Sequence, residues 1–107
     1  MSISLKNVLV LLLSLVLLSA CTSARMTQQL HLGKNNFESG YYRDAFHQLL
    51  PLASEGNKEA EYAVGYMYYY GYGVPQDTET GAFWIRKSAD QHYPQATQAL
   101  AAMQKAE

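Results

Sequence analysis

The side chains that most often carry chemistry are few in this chain and lie far apart. Its 107 residues include one cysteine and three histidines. The histidines are His31, His47 and His92. Their spacing matches no metal-binding pattern such as H-E-x-x-H, and no serine lies in a G-x-S-x-G turn. We therefore predict no catalytic centre, no metal site and no cofactor.

The net charge of the chain gives no sign of an enzyme, but it narrows the class of partner that can be expected. The formal net charge is -1, from 8 Lys+Arg and 9 Asp+Glu, and no basic block occurs. Nucleic acid is therefore not an expected partner. A small acidic cluster, Glu55, Glu59 and Glu61, lies near a predicted helix start, where carboxylates favour the helix dipole.

The single cysteine ends an apolar N-terminal segment. The run Val8–Leu18 follows Lys6 and is about half as long as the roughly 20 residues that span a bilayer. Its length is typical of the apolar part of a secretory signal peptide. The residues Leu18-Ser19-Ala20-Cys21 resemble the lipobox of bacterial lipoproteins. An ordinary signal peptide with a chance cysteine is the alternative.

The lipobox resemblance divides the chain into three regions. Residues 1–20 would be a cleaved signal peptide, and residues 21–26 an acylated Cys21 with a short polar tether. Residues 27–107 would form the folded domain. Thr22 stands where an aspartate would signal inner-membrane retention, so the resemblance implies the periplasmic face of the outer membrane in a Gram-negative host.

Apolar residues in the remaining chain recur at three- and four-residue spacing, which predicts helices rather than strands. We expect a first helix ending near Gly40 and a second that carries Pro51 and closes at Gly56. The third to fifth helices are predicted at about 58–70, at about 78–91, and from Pro94 onward.

The chain also repeats itself at an offset of 36 residues. At that offset Ala53 pairs with Ala89, and Ala60 pairs with Ala96. A period in the thirties built from helix pairs is typical of a solenoid, in which each pair covers the apolar face of its neighbour. We predict an all-α fold: a short tetratricopeptide-like solenoid of about two helix pairs plus a C-terminal capping helix.

Residues 60–96 carry a recognisable motif, AEYAVGYMYYYGYGVPQDTETGAFWIRKSADQHYPQA. It resembles the Sel-one-like repeat, a relative of the tetratricopeptide repeat. The matching positions are Ala60, Val64, Gly65, Met67, Tyr68, Gly71, Gly73, Val74, Asp77, Trp84, Lys87, Ala89 and Ala96. The resemblance implies structural roles for these residues, with Trp84 in the core, and a scaffold for protein complexes.

Two residues depart from the family pattern. Gly81 stands where the family usually has alanine, which we expect to cost the fourth helix about 1 kcal/mol. His92 stands where the family's turn glycine usually lies, and histidine tolerates a positive φ less well than glycine does.

Three tyrosines of the third helix are predicted to lie on one side of it. At about 100° per residue, Tyr62, Tyr66 and Tyr69 fall opposite the small apolar residues. The helix should end at Gly71, and Asp77 should cap the next one. The tyrosines could pack against the preceding helix pair, or they could form a stripe that binds a partner.

Two functions fit this sequence. The first is a lipid-anchored adaptor that binds an envelope protein or peptide through the helical repeat and Tyr62, Tyr66 and Tyr69. The second is a binder of cell-wall glycan, or an accessory subunit of an envelope enzyme, with tyrosines contacting sugar rings. Binding to purified cell wall alone would favour the second.

Overall fold

The computed structural model describes residues 3–106, which form five helices and no strand. The helices are α1 (Leu5–Glu38), α2 (Tyr42–Ser54), α3 (Lys58–Tyr70), α4 (Thr78–Asp90) and α5 (Pro94–Lys105). Each helix packs against the next along the chain, and α1 also touches α3. The predicted helical solenoid is therefore confirmed, with α5 as the unpaired last helix.

The long helix α1 has two parts with different surroundings. Its N-terminal part exposes a series of leucines and valines to solvent, while its last ten residues pack on α2 and α3. By length and composition α1 could cross a membrane, with a mean hydropathy of 2.2 over 18 residues. Signal sequences have the same properties, so this finding does not distinguish the two.

Residues 21–26, which we expected to be a tether, lie within α1 as continuous helix. No glycine or proline interrupts them, and their hydroxyl groups are satisfied locally. The side chains of Thr22 and Ser23 donate hydrogen bonds to the carbonyl oxygens of Leu18 and Ser19 at 3.0 and 3.1 Å. The division into signal peptide, tether and domain stays a prediction.

The core lies between α2 and α3. It consists of buried aliphatic side chains, with Leu49, Val64 and Met67 fully excluded from solvent. Val74, from the loop after α3, and Trp84 of α4 pack against this cluster while remaining partly exposed. Helix α2 continues through Pro51 to Ser54, so that Leu52 and Ala53 still reach the core.

Specific caps set the ends of the helix pair α3–α4. The Asn57 side chain accepts a hydrogen bond from the Ala60 amide at 2.9 Å at the start of α3. Gly71 ends α3 with φ 73°. The Asp77 carboxylate accepts hydrogen bonds from the Thr80 amide at 3.0 Å and from its hydroxyl at 2.6 Å. These caps satisfy backbone groups that the helix leaves free.

Gly81 has a role that the sequence did not reveal. It is buried where α4 crosses α3, and a Cβ at this position would lie 2.6 Å from the Tyr69 backbone nitrogen. The residue that we expected only to weaken α4 therefore permits the two helices to approach. His92 has φ 62°, which places it in the left-handed region that glycine prefers.

Candidate functional site

Tyr62, Tyr66 and Tyr70 of α3 belong to a continuous aromatic surface. We call it the aromatic face; its rings come from Phe37, Tyr42, Tyr62, Tyr66, Tyr70, Tyr72 and Tyr93. Tyr66 lies at its centre, with its ring 5.6 Å from Phe37 and 4.6 Å from Tyr70. The face is built by α1, the start of α2, α3 and the loops that follow α3 and α4.

Two of the three predicted binding tyrosines share this face. The ring centroids of Tyr62 and Tyr66 are 6.1 Å apart. Tyr69 borders the face, with its ring 5.0 Å from that of Tyr70, while its backbone meets Gly81 of α4 and its side chain lines cavities formed with α5. All three side chains are half-buried, so they pack and remain accessible at the same time.

Most members of the aromatic face were missed by the sequence reasoning. Tyr70 could have been found, since it lies one turn after Tyr66 and such residues share a helix face. Phe37, Tyr42 and Tyr93 come from other elements. The stacking of Tyr42 on Tyr72, with ring centroids 4.8 Å apart, joins residues that no local pattern connects.

The hydroxyls of Tyr62, Tyr66 and Tyr93 stay protonated at neutral pH. Partial burial raises the pKa of Tyr62 and of Tyr66, with neighbouring tyrosines adding to the effect. Burial also raises the pKa of Tyr93, and the charge of Glu59 raises it further. These three residues therefore offer neutral rings and hydroxyl donors rather than phenolate.

Two small cavities flank the Tyr62–Tyr66 pair. One, of about 140 Å³, is formed by α1, α3 and the start of α5, with walls from Phe37, Tyr62 and Tyr93. The other, of about 170 Å³, lies between α3 and α5 and is mainly apolar, with Tyr66, Tyr70, Ala99 and Met103 among its walls. A larger and more polar hollow of about 470 Å³ lies beyond Tyr69, between α4 and α5.

The acidic cluster predicted from sequence separates in space. Glu59 forms an ion pair with Lys34 of α1, with Nζ and Oε2 2.7 Å apart. Glu61 is buried, accepts a hydrogen bond from Gln91, and lies 3.8 Å from the Lys87 ammonium. Glu55 is exposed after α2. Glu59 and Glu61 link neighbouring helices, which explains these two carboxylates without catalysis.

The histidines and the cysteine form no metal-binding group within residues 3–106. Among them, no three His, Cys, Asp or Glu side chains are grouped as a metal site. His31, His47 and His92 are exposed, and Cys21 is exposed on α1.

Several residues that match the repeat motif are buried or pack against other parts of the fold. Ala60 and Ala96 are fully buried, and Ala89 is half-buried. The ring of Tyr68 packs edge-on against Phe46 at 5.3 Å. Gly73 has φ 75°, and a Cβ there would lie 2.6 Å from the Tyr42 carbonyl carbon. The loop after α3 therefore rests directly on the start of α2.

Residues 58–93 match the family model of the Sel1 repeat. This chain contains a Sel1 repeat. The repeat covers α3, α4 and the loop between them. Sel1 repeats generally mediate protein–protein interaction, and the Sel1 fold is a non-catalytic interaction repeat.

The Sel1 repeat contributes the central residues of the aromatic face. Tyr62, Tyr66, Tyr70 and Tyr72 lie inside the matched range, whereas Phe37 and Tyr42 come from helices before it. The candidate site is therefore a surface made by the Sel1 repeat together with the helices that precede it.

Proposed function

We propose that this protein is a lipid-anchored adaptor of the cell envelope, held at the periplasmic face of the outer membrane. In this proposal Cys21 carries the lipid, and the aromatic face binds a segment of an envelope protein. The aromatic face carries the second part of the proposal: accessible tyrosine rings next to two cavities resemble the anchor sites that dominate protein interfaces.

Two observations support the anchor. The motif Leu18-Ser19-Ala20-Cys21 places the chain's only thiol directly after an apolar segment. That segment packs against no other part of residues 3–106, and its apolar side chains are exposed. Acyl chains on Cys21 would keep the repeat domain at a membrane surface, because each buried methylene contributes about 0.8 kcal/mol.

Cross-linked cells provide the test of the adaptor function. The full-length protein is captured with its anchor intact, and proteins bound to it are identified and compared among variants. Tyr70 is the most informative position, because its side chain is 50% exposed and its removal should cost little stability. Tyr70→Ala should lose the partner while the melting temperature stays near that of the wild type.

Tyr66→Ala and Tyr41→Ala complete the comparison. Tyr66 is a central anchor, so its removal should weaken binding by about 2 kcal/mol, roughly thirtyfold, with some loss of stability. Tyr41 is 64% exposed and pairs with no ring of the aromatic face, so Tyr41→Ala should retain the partner. Equal capture by all three variants would contradict the proposal.

Binding of cell-wall glycan is the second candidate. The nearly parallel rings of Tyr70 and Tyr72, at 24° and 5.9 Å, are both partly exposed and could stack on sugar rings. Purified cell wall would then retain the wild-type protein without any protein partner, and Tyr72→Ala would release it. Retention by cell wall that is unchanged in Tyr72→Ala would exclude this arrangement.

A further inference from the structure

The smaller cavity beside Tyr62 combines aromatic walls with carboxylates. Its aromatic walls are Phe37 of α1, Tyr62 of α3 and Tyr93 before α5, and its charged walls are Lys34, Glu38 and Glu59. The rings of Tyr62 and Tyr93 are 5.6 Å apart and tilted by 58°. Three elements distant in sequence therefore form one lined pocket, which we call the Tyr62–Tyr93 pocket.

The charges of this pocket do not cancel. Lys34 is engaged by Glu59 at 2.7 Å, and this hydrogen bond raises the pKa of the Lys34 ammonium. Glu38 takes part in no ion pair formed within residues 3–106. Two carboxylates and one ammonium leave the lining with an excess of one negative charge.

Aromatic rings add to the attraction for a cation. The face of a tyrosine or phenylalanine ring is electron-rich, and it attracts a cation placed near it. An anion would meet the opposite situation, because it would have to displace Glu59 from Lys34 and approach Glu38. The lining therefore selects for positive charge.

The pocket has the size of a single side chain. Its volume is about 140 Å³. A cavity of roughly 150 Å³ holds one benzene molecule, whereas sites for small-molecule ligands usually exceed about 300 Å³. The alkyl chain and charged end of one lysine or arginine would fit.

We propose that the Tyr62–Tyr93 pocket binds a lysine or arginine side chain of the partner protein. This inference rests on the proposed adaptor function and specifies the chemistry of the partner. The neighbouring apolar cavity beside Tyr66 would then receive an apolar side chain of the same segment. A basic residue close to an apolar one is the recognition pattern expected in the partner.

The pocket can be tested without knowing the partner. The ¹⁵N-labelled full-length chain, in a micelle of non-ionic detergent, is titrated with n-butylammonium, 1-butanol and butyrate at equal ionic strength. These probes have similar alkyl chains and differ in charge. We expect n-butylammonium to shift the amide signals of Tyr62, Tyr93 and Lys34 saturably, and to bind at least several-fold more tightly than the other two.

Glu38→Gln isolates the role of the free carboxylate. Glu38 is exposed at the end of α1, so its replacement should leave the fold intact. An exposed charge pair contributes about 0.2–1 kcal/mol, so n-butylammonium should bind up to roughly fivefold more weakly to Glu38→Gln. Glu55→Gln is the matched control, because Glu55 is also an exposed carboxylate but lies outside the pocket, and it should bind as the wild type does.

Three results would overturn this inference. They are the absence of saturable shifts with n-butylammonium, equal binding of 1-butanol or butyrate, and equal weakening by the two glutamate variants. Failure of the adaptor function is a separate outcome. In that case the pocket would bind n-butylammonium, but the Tyr70→Ala variant would capture the same cross-linked proteins as the wild type. A third case is a partner that Tyr70→Ala no longer captures but that Glu38→Gln and Tyr93→Leu capture fully. This result would support the adaptor function and would show that the Tyr62–Tyr93 pocket does not bind a lysine or arginine of the partner.

Discussion

Gly65 and Gly81 face each other at the crossing of α3 and α4. A Cβ added to either residue would lie 2.8 Å from the carbonyl oxygen of the other. Both glycines are buried, and the neighbouring Ile85 side chain is also fully excluded from solvent. The two helices of the Sel1 repeat therefore approach at a point where neither can carry a side chain, and this contact fixes the position of the α3 tyrosines relative to α4.

Replacing Gly81 by alanine should destabilise the protein. In an ordinary helix the change would favour folding by about 1 kcal/mol. Here the added methyl group would meet the Tyr69 backbone nitrogen at 2.6 Å, and overpacking of this kind costs about 1–3 kcal/mol. The free energy of unfolding, measured by urea denaturation, should therefore fall in Gly81→Ala.

Gly33→Ala provides a graded comparison. A Cβ at Gly33 would meet side-chain atoms of Leu49 at 2.5 and 2.6 Å, and a side chain can move more easily than a helix backbone. The loss of stability should be smaller than for Gly81→Ala. An increase in stability in Gly81→Ala would contradict the close crossing.

His92→Gly should stabilise the turn between α4 and α5. His92 has φ 62°, a conformation that costs a residue with a Cβ about 1 kcal/mol relative to glycine. Thermal unfolding should therefore occur at a higher temperature in His92→Gly. Gln98→Gly, at an exposed site within α5, should have the opposite effect because glycine weakens a helix interior. A lower melting temperature in both variants would show that His92 is not strained.

Asp77 should make the stability of the folded protein depend on pH in the acidic range. Hydrogen bonds from the Thr80 hydroxyl and amide lower the pKa of the Asp77 carboxyl below its ordinary value near 3.8. The charged Asp77 carboxylate therefore contributes its full stabilisation of the folded state at pH values above that ordinary pKa. The contribution is lost as the pH falls through the lower pKa of the folded state.

Asp77→Asn tests this dependence, because asparagine can still cap α4 but carries no charge. The melting temperature of Asp77→Asn should lie below that of the wild type at pH 7. The difference should shrink as the pH falls below about 3.8. Asp90→Asn is the control at the other end of α4, where a carboxylate does not favour the helix dipole, and it should not lower the melting temperature at pH 7. A gap for Asp77→Asn that stays constant with pH would contradict the role of the charge.

The proposed lipid anchor predicts a defined mature N-terminus. Mass spectrometry of the membrane fraction should find a chain that begins at Cys21 and carries acyl groups. Cys21→Ser removes the thiol that accepts the acyl group, so the protein should keep its signal segment or leave the membrane fraction. A chain cleaved at another bond without acylation would reject the anchor, and so would a Cys21→Ser protein identical in processing and location to the wild type.

Local sequence signals were sufficient for the order of the helices and for most of their ends, although α1 begins at Leu5 and runs through the expected tether. Apolar spacing and the 36-residue offset predicted an all-α solenoid, and the predicted range 58–70 for the third helix is the range of α3. These features depend on residues within one or two turns of each other. Glycine and proline positions, together with a capping side chain such as Asp77, act over the same short range.

The candidate site required the tertiary structure. The sequence placed Tyr62 and Tyr66 on one face of α3, but it could not show that Phe37 and Tyr93 meet them there. Such contacts join residues about 30 positions apart, and they depend on how the helices cross. The crossing itself depends on Gly65 and Gly81, whose missing side chains leave no periodic signal. Helix periodicity thus determined which residues point inward, whereas the close packing of α3 on α4 decided which outward-facing residues form one surface.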